Sequence, residues 1–310
     1  MTPDRARIAA QVVVNYEEGA MLLTLDHLNS AAPADFVAAL EGIFERAPWV
    51  AEAACAKRPF PTLAALFNAM TDAVRSADPT RQLQLIKGHP DLGERTAALT
   101  AASKAEQAGA RLDDLSKKDL ERFERLNTAY QTKFSMPFIL CVRRHTRESI
   151  LGQFDRRLQN ARDVERETAL AEIFRIAALR LADHVIAPDQ LKVHGLLSTH
   201  VLDTSRGRPA DGVSIELFEV SGTDELRVMA KAVTNADGRT DRPLIEKRPL
   251  PIGRYELRFA IGAYFARNGT VGDPAFLDIV PIRFAMTEPE GHYHIPLLAA
   301  PYSYATYRGS

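Results

Sequence analysis

Cysteine is scarce in this sequence. Only Cys55 and Cys141 occur in 310 residues, far apart and in apolar surroundings, which is too few for a disulfide framework or a thiolate zinc site. Both read as small core residues. Long apolar runs are missing too: no stretch approaches the 18 residues of a membrane-spanning helix, so no membrane partner is expected. The opening segment Met1–Gly19 carries Asp4, Arg5, Arg7, Glu17 and Glu18. It lacks the apolar centre and small-residue cleavage site of a signal peptide, and the expected compartment is the cytoplasm. Nor is there an excess of positive charge. With 39 Lys and Arg against 40 Asp and Glu the net charge is -1, which argues against nucleic acid as a partner, because phosphate affinity comes from a basic excess. A small-molecule ligand is expected instead.

What the sequence does hold is core. Hydrophobic residues make up 46% and charged residues 25%, an ordinary globular balance, and 310 residues exceed one single-core domain, so two domains are expected. From Asp26 to about Ala187 apolar residues recur at helical spacing. The stripes are Phe36, Leu40, Ile43 and Phe44; Leu63, Leu66, Phe67, Met70 and Val74; Leu120, Phe123, Leu126 and Tyr130; Ile150, Leu151, Phe154 and Leu158; and Leu170, Ile173, Phe174, Ala177 and Leu181. Pro48, Pro59, Pro61 and Pro79 punctuate the first two. This half is expected to be all-α.

After Pro188 the period changes to two. Val213, Ile215 and Leu217 alternate with polar neighbours, as do Tyr255, Leu257, Phe259 and Ile261, and the turn clusters at 205–212, 221–225 and 235–239 separate such runs. The pattern is that of an antiparallel β-sandwich. The expected organisation is an extension at 1–24, a helical domain at 25–187, a short linker at 188–192 and a sandwich at 193–310.

Several residues carry potential chemistry. In HYH, His292 and His294 are two apart on a strand and project from one face, with Tyr293 opposite. His200 lies in LSTHVLD and Arg239 follows a DG turn, so a sandwich can bring all four to one end. Neutral imidazoles there would activate water, with a guanidinium stabilising an oxyanion. Two other readings stay open: ordinary polar residues on a solvent-facing strand, and a zinc site, ranked low for want of an acidic second shell. In the helical half, GHPDLG places turn residues on both sides of His89, favouring an exposed imidazole at a helix end. SKAEQ fits a helix start, with Ser103 as N-cap and Glu106 completing a capping box. FILCV, Phe138–Val142, reads as core in its side chains.

LSTHVLD, the DGR turn and the terminal HYHIPLLAAPYSYATYRGS resemble the 5-hydroxyisourate hydrolases, transthyretin-related enzymes, from about Val193 to Ser310. The resemblance implies that His200, Arg239 and His294 are catalytic, that His292 assists and that Tyr307 and Ser310 close the site. It further implies tetramers formed through this domain. GHPDL, SKAEQAGA, FSMPFILCV and RLQN resemble the decarboxylases of 2-oxo-4-hydroxy-4-carboxy-5-ureidoimidazoline (OHCU), over roughly Leu25 to Ala187. By that resemblance His89, Glu106 and Arg180 are catalytic, with Arg175 and Arg157 as alternatives to Arg180. Substrate contacts come from Pro90, Ser103, Gln107 and the main chain of Phe138, Ile139, Leu140, Cys141 and Val142, and dimer contacts are implied for this domain. Ser135–Met136 departs from the Gly-Phe or similar pair usual in relatives. The combination resembles the bifunctional allantoin synthases, in which neither step needs a cofactor or metal and homo-oligomers are expected. Residues 6–19 resemble the opening strand of the polysaccharide-deacetylase-like allantoinases, but only as a fragment; a poorly ordered extension is the preferred expectation there.

Overall fold

The computed structural model describes residues 13–14, 21–92, 106, 117–269, 272 and 274–309. The chain divides into two compact units, Met1–Val142 with Leu151–Lys192, and Arg143–Ile150 with Val193–Ser310.

Helices build the first unit: α1 (Leu25–Ser30), α2 (Pro33–Ala39), α3 (Pro48–Cys55), α4 (Leu63–Ser76), α5 (Pro79–Lys87), α6 (Lys117–Phe134), α7 (Arg147–Arg157), which this unit joins at Leu151, and α8 (Arg162–His184). Their starts follow from local chemistry. The Thr62 hydroxyl accepts from the Ala65 N–H at the head of α4, and the Asp78 carboxylate accepts from Thr80 and Arg81 at the head of α5. Each such cap contributes about 1 kcal/mol. The stripe on α8 is buried at Leu170, Ile173, Ala177 and Leu181, and Phe138 and Phe154 stack in the same core with ring centroids 3.6 Å apart.

Two expectations for this half need correction. It is not all-α, because β1 (Val13–Val14), β2 (Met21–Thr24) and β3 (Val185–Ile186) form a small sheet, β2 running antiparallel to β1 and parallel to β3. Strands of two to four residues are too short to display a period. The apolar run from Phe36 to Phe44 is also not one helix. α2 stops at Ala39, yet Leu40, Ile43 and Phe44 remain buried beyond its end.

The second unit is a two-sheet sandwich. Strands β6 (Ser214–Val220), β7 (Leu226–Val233), β9 (Gly253–Ala260) and β10 (Ile279–Met286) form one sheet in the order β10-β9-β6-β7. The other runs β12 (Ser303–Thr306), β11 (His292–Ala300), β4 (Gly195–Asp203), with β5 (Arg208–Pro209) and β8 (Ile245–Arg248) both paired to β4. Leu197, Val201, Leu217, Leu257 and Leu297 are fully buried between the sheets. Each stabilises the fold by roughly 1.5–3 kcal/mol. The expected antiparallel arrangement fails at one pair: β4 and β11 are parallel. Alternation reports which face a residue takes, not the direction of the neighbouring strand. Ile261, expected in a strand, opens the short helix α9 (Ile261–Arg267). The segment Arg143–Ile150 also belongs here, since the Thr146 N–H and hydroxyl both donate to the Ile252 carbonyl, at 3.1 and 2.9 Å. Among the described residues no helix is long and apolar enough to cross a membrane.

Candidate active sites

A cleft of about 390 Å³, counted to its open mouth, is lined in the first unit by His89, Glu106, Arg180 and apolar side chains including Phe138, Leu140 and Ile176. Its histidine follows the end of α5 and folds back, placing Nδ1 3.0 Å from the Leu85 carbonyl. A carbonyl can only accept, so Nδ1 carries the hydrogen and Nε2 the lone pair. His89 is 8% exposed, not the exposed imidazole expected from its turn residues. Burial drives its pKa down to about 4, helped by Arg180 and Arg46, while the Leu85 carbonyl and Glu45 only partly offset this. At neutral pH the ring is therefore uncharged.

Arg180 faces it from α8. Its Nε and Nη2 donate to the two oxygens of Glu106, at 2.8 and 2.9 Å, and Nη1 donates to Glu45 and to the Gly42 carbonyl, both at 2.8 Å. The early end of α2 is what frees the chain around Gly42 and Glu45 to supply these acceptors. Of the three candidate arginines, Arg180 lines the cleft. Arg175 pairs with Glu172 and is half-exposed, and Arg157 is completely buried beneath the cleft's wall.

Arg157 explains the RLQN motif. Its Nε donates to Glu165 at 2.7 Å, Asn160 of the same motif donates to the other Glu165 oxygen at 2.7 Å, and the Tyr130 hydroxyl closes on Glu165 as well. The guanidinium lies 4.4 Å from the Phe138 ring centroid, and its Nη1 donates to the Ile139 carbonyl at 2.6 Å. Two positions on, the Cys141 N–H donates to the Glu172 carboxylate at 2.9 Å. Charged groups thus hold the Phe138–Val142 main chain on both sides of Leu140. Cys141, expected to touch substrate, is not among the residues lining the cleft; Pro90, Phe138, Ile139, Leu140 and Val142 are. Ser103 and Gln107, and with them the capping box expected at Glu106, lie outside the described residues.

The second site sits on the outward face of β4 and β11. Burial alternates along β4, with Leu197, Thr199 and Val201 inward and Ser198 and His200 outward. On β11, Tyr293, Ile295 and Leu297 point inward and leave His292 and His294 on the outer face. The DG turn delivers Arg239. Gly238 has a φ of +71°, and a Cβ there would stand 2.3 Å from the Val201 carbonyl oxygen, so only glycine allows the Val201 N–H to reach the Gly238 carbonyl at 2.8 Å. Arg239 is then bridged to His200 across antiparallel backbone. His200 is held below its ordinary pKa by burial and by the Arg239 charge. His294 is lowered by burial, then by Arg239, His200 and His292. The Nε2 of His200 is buried without a hydrogen-bond partner among the described residues.

The tail reaches this site through Gly309, whose N–H donates to the His294 carbonyl at 2.9 Å. A Cβ on Gly309 would lie 2.7 Å from the His294 ring, an approach that only glycine permits. Tyr307 is exposed, and Ser310 lies outside the described residues. Among those described, no group of three His, Cys, Asp or Glu side chains is placed to hold a metal ion.

Two residues escaped the sequence reading. Glu45, an acid inside an apolar run, carried a signal, because unpaired carboxylates are rarely buried. Ser198 carried a weaker one, sharing the parity of His200 on β4; its partners became visible only with the register.

The OHCU decarboxylase family matches residues 29–182 and the HIUase/transthyretin family matches residues 197–309. A 2-oxo-4-hydroxy-4-carboxy-5-ureidoimidazoline decarboxylase of Haloferax volcanii is 45% identical over 52% of this chain and 95% of its own. A 5-hydroxyisourate hydrolase of Deinococcus radiodurans is 52% identical over 38% of this chain and 98% of its own. A crystal structure of (S)-allantoin synthase aligns over 93% of this chain and 100% of that one, at 34% identity and a TM-score of 0.50. The chain belongs to the OHCU decarboxylase family through its helical half and to the HIUase/transthyretin family through its sandwich.

Proposed function

We propose that the chain is a cytoplasmic enzyme with two consecutive activities in urate breakdown: hydrolysis of 5-hydroxyisourate to OHCU on the sandwich, and decarboxylation of OHCU to (S)-allantoin in the helical cleft. The observation that carries this reading is that His200 on β4 and His294 on β11 share the outward face, with Arg239 bridged to His200 and its charge felt at His294. Two neutral imidazoles beside a fixed cation suit the attack of water on a lactam carbonyl. The histidines take the proton and Arg239 opposes the charge developing on oxygen. His292 assists, and Tyr307 and Ser310 close the site.

In the cleft, decarboxylation needs no cofactor. As the bond from C4 to the carboxylate breaks, carbon dioxide leaves, the bond's electrons form a C4–C5 double bond, and the ring imine nitrogen takes up the charge and with it a proton from water. His89 is neutral with its lone pair on Nε2, so it acts first as a base toward the 4-hydroxyl. The same ring then returns the proton to C5 from one side, which sets the S configuration. Apolar walls such as Phe138 and Ile176 favour a dispersed charge over a localised carboxylate. Arg180, with Glu106, orients the substrate's oxygens, and the Leu140 main chain in the cleft wall supplies further hydrogen bonds. Ser103, Gln107 and Pro90 complete the contacts.

Association of copies is part of the proposal. β12 is the edge of its sheet and fully exposed, and Tyr302, Tyr304 and Tyr307 present aromatic surface beside it. An open edge of this kind is a template for pairing with another chain. Tetramers through the sandwich, with dimer contacts through the helical half, are the assembly that light scattering should detect.

The test supplies urate and urate oxidase to the purified chain and follows both intermediates by absorbance and the product by circular dichroism. Both intermediates should vanish faster than they decay alone, leaving one enantiomer of allantoin. Decay of 5-hydroxyisourate at its spontaneous rate would remove the hydrolase, and racemic allantoin would remove the decarboxylase.

A further inference from the structure

Between the two histidines of β11 stands a hydroxyl. Ser198 Oγ lies 3.0 Å from His294 Nδ1 and 3.1 Å from His292 Nε2. The parallel register places Ser198 directly opposite His294, and the two-residue period keeps His292 on the same face. A serine hydroxyl has one hydrogen to give and can also accept, so when it donates to one ring it accepts from the other. The tautomers of the two rings are then linked. When Ser198 donates to His292 Nε2 it accepts from His294 Nδ1–H, and His294 Nε2 holds a lone pair. In the reverse arrangement His294 Nε2 carries the hydrogen.

We propose that Ser198 is a positioning residue of the hydrolase, a relay through which His294 serves first as base and then as acid while the positive charge resides on His292. This rests on the hydrolase reading given above. As the water oxygen bonds to the lactam carbonyl carbon, its proton passes to His294 Nε2. The Nδ1 proton of His294 passes to Ser198 Oγ, and the hydroxyl proton passes to His292 Nε2. When the tetrahedral intermediate collapses, the C–N bond breaks and the three transfers reverse, so that the leaving nitrogen takes its proton from His294 Nε2. One water is consumed and all three side chains return to their starting state. The surroundings favour this route. His294 is half-buried, and burial and then the Arg239 charge disfavour an imidazolium there, whereas His292 is exposed to water.

The test compares the full chain with Ser198→Ala and Ser198→Thr. Ser198→Ala should lower kcat for 5-hydroxyisourate by about 100-fold, with KM changed by less than about twofold and decarboxylation unaltered. Ser198→Thr, which keeps the hydroxyl, should recover most of the loss. Nitrogen-15 NMR of the substrate-free, histidine-labelled chain should show His294 with its hydrogen on Nδ1, a preference lost in Ser198→Ala. Unchanged kcat in Ser198→Ala, equal impairment of the alanine and threonine variants, or the same tautomer populations with and without the hydroxyl would each overturn the relay. If His200→Ala abolishes hydrolysis and Ser198→Ala does not, the hydrolase stands and the relay falls. If the unmodified chain hydrolyses nothing, the hydrolase reading falls, and the tautomer comparison still decides whether Ser198 links the two rings.

Discussion

His89 and His294 are both held neutral, and the two halves of the chain achieve this differently. Around His89 burial dominates; the Leu85 carbonyl and Glu45 partly oppose it, and Arg180 and Arg46 push with it. Around His294 burial leads as well, but Arg239, His200 and His292 all push in the same direction. The tautomer is set differently too. A backbone carbonyl, which only accepts, locks His89 in one form, whereas a serine hydroxyl, which can give or take, leaves His294 able to exchange. The helical cleft needs one proton acceptor of fixed orientation; the sandwich needs one that changes role during hydrolysis.

The contrast breaks most sharply under single substitutions. His89→Ala should reduce decarboxylation by 10²–10⁴-fold while hydrolysis continues, and His294→Ala should do the reverse. Loss of both activities in either variant, with folding intact by circular dichroism, would show that the sites are not separate. Next in size is Arg157→Leu, which strands the buried Glu165 carboxylate. It should cost about 3–5 kcal/mol in denaturant unfolding of the helical half and impair decarboxylation through the released Ile139 carbonyl. Gly309→Ala presses a methyl group against the His294 ring and should slow hydrolysis about 10-fold or more, with decarboxylation as the internal control.

Smaller effects refine the comparison. A His89 whose pKa is about 4 folded and about 6.5 unfolded takes up a proton on unfolding between those values. Its neutral burial therefore favours the native state fully above pH 6.5, and that contribution is lost as pH falls toward 4. Relative to His89→Gln, the unmodified protein should lose stability over this window in thermal melts at stepped pH. Raising salt screens Arg239 but not burial, so the acid limb of hydrolysis should move to higher pH by a few tenths of a unit, with no equal shift in decarboxylation. Smallest of all, Ser135 holds a φ of +57°, where residues other than glycine are strained. Ser135→Gly should raise stability by about 1 kcal/mol at most.

Much of the sandwich site was legible because a strand's period is local: His292 and His294 share a face whatever lies around them. The turn at Asp237–Gly238 likewise announced where Arg239 would emerge. Ser198 was not legible as a partner, since its place between two imidazoles depends on the register of β4 against β11, which alternation does not encode. In the helical half, periodicity found the stripes on α4 and α8 but joined Phe36 to Phe44 across a helix end, and so missed the bend that brings Glu45 to Arg180. His89 was found by resemblance and its burial misjudged, because flanking turn residues describe the main chain and not what packs over the ring.

The parallel pairing of β4 with β11 also orders events during synthesis. Ser198 and His294 are 96 residues apart, so the hydrolase face cannot form on the ribosome until nearly the whole sandwich has emerged. The residues lining the cleft end at Arg180 and emerge earlier. Chain order is thus the reverse of the proposed reaction order: the catalyst for the second step is made before the catalyst for the first. A chain that ends before β11 would hold every residue that lines the cleft and lack His292 and His294, without which Ser198 has no imidazole to join.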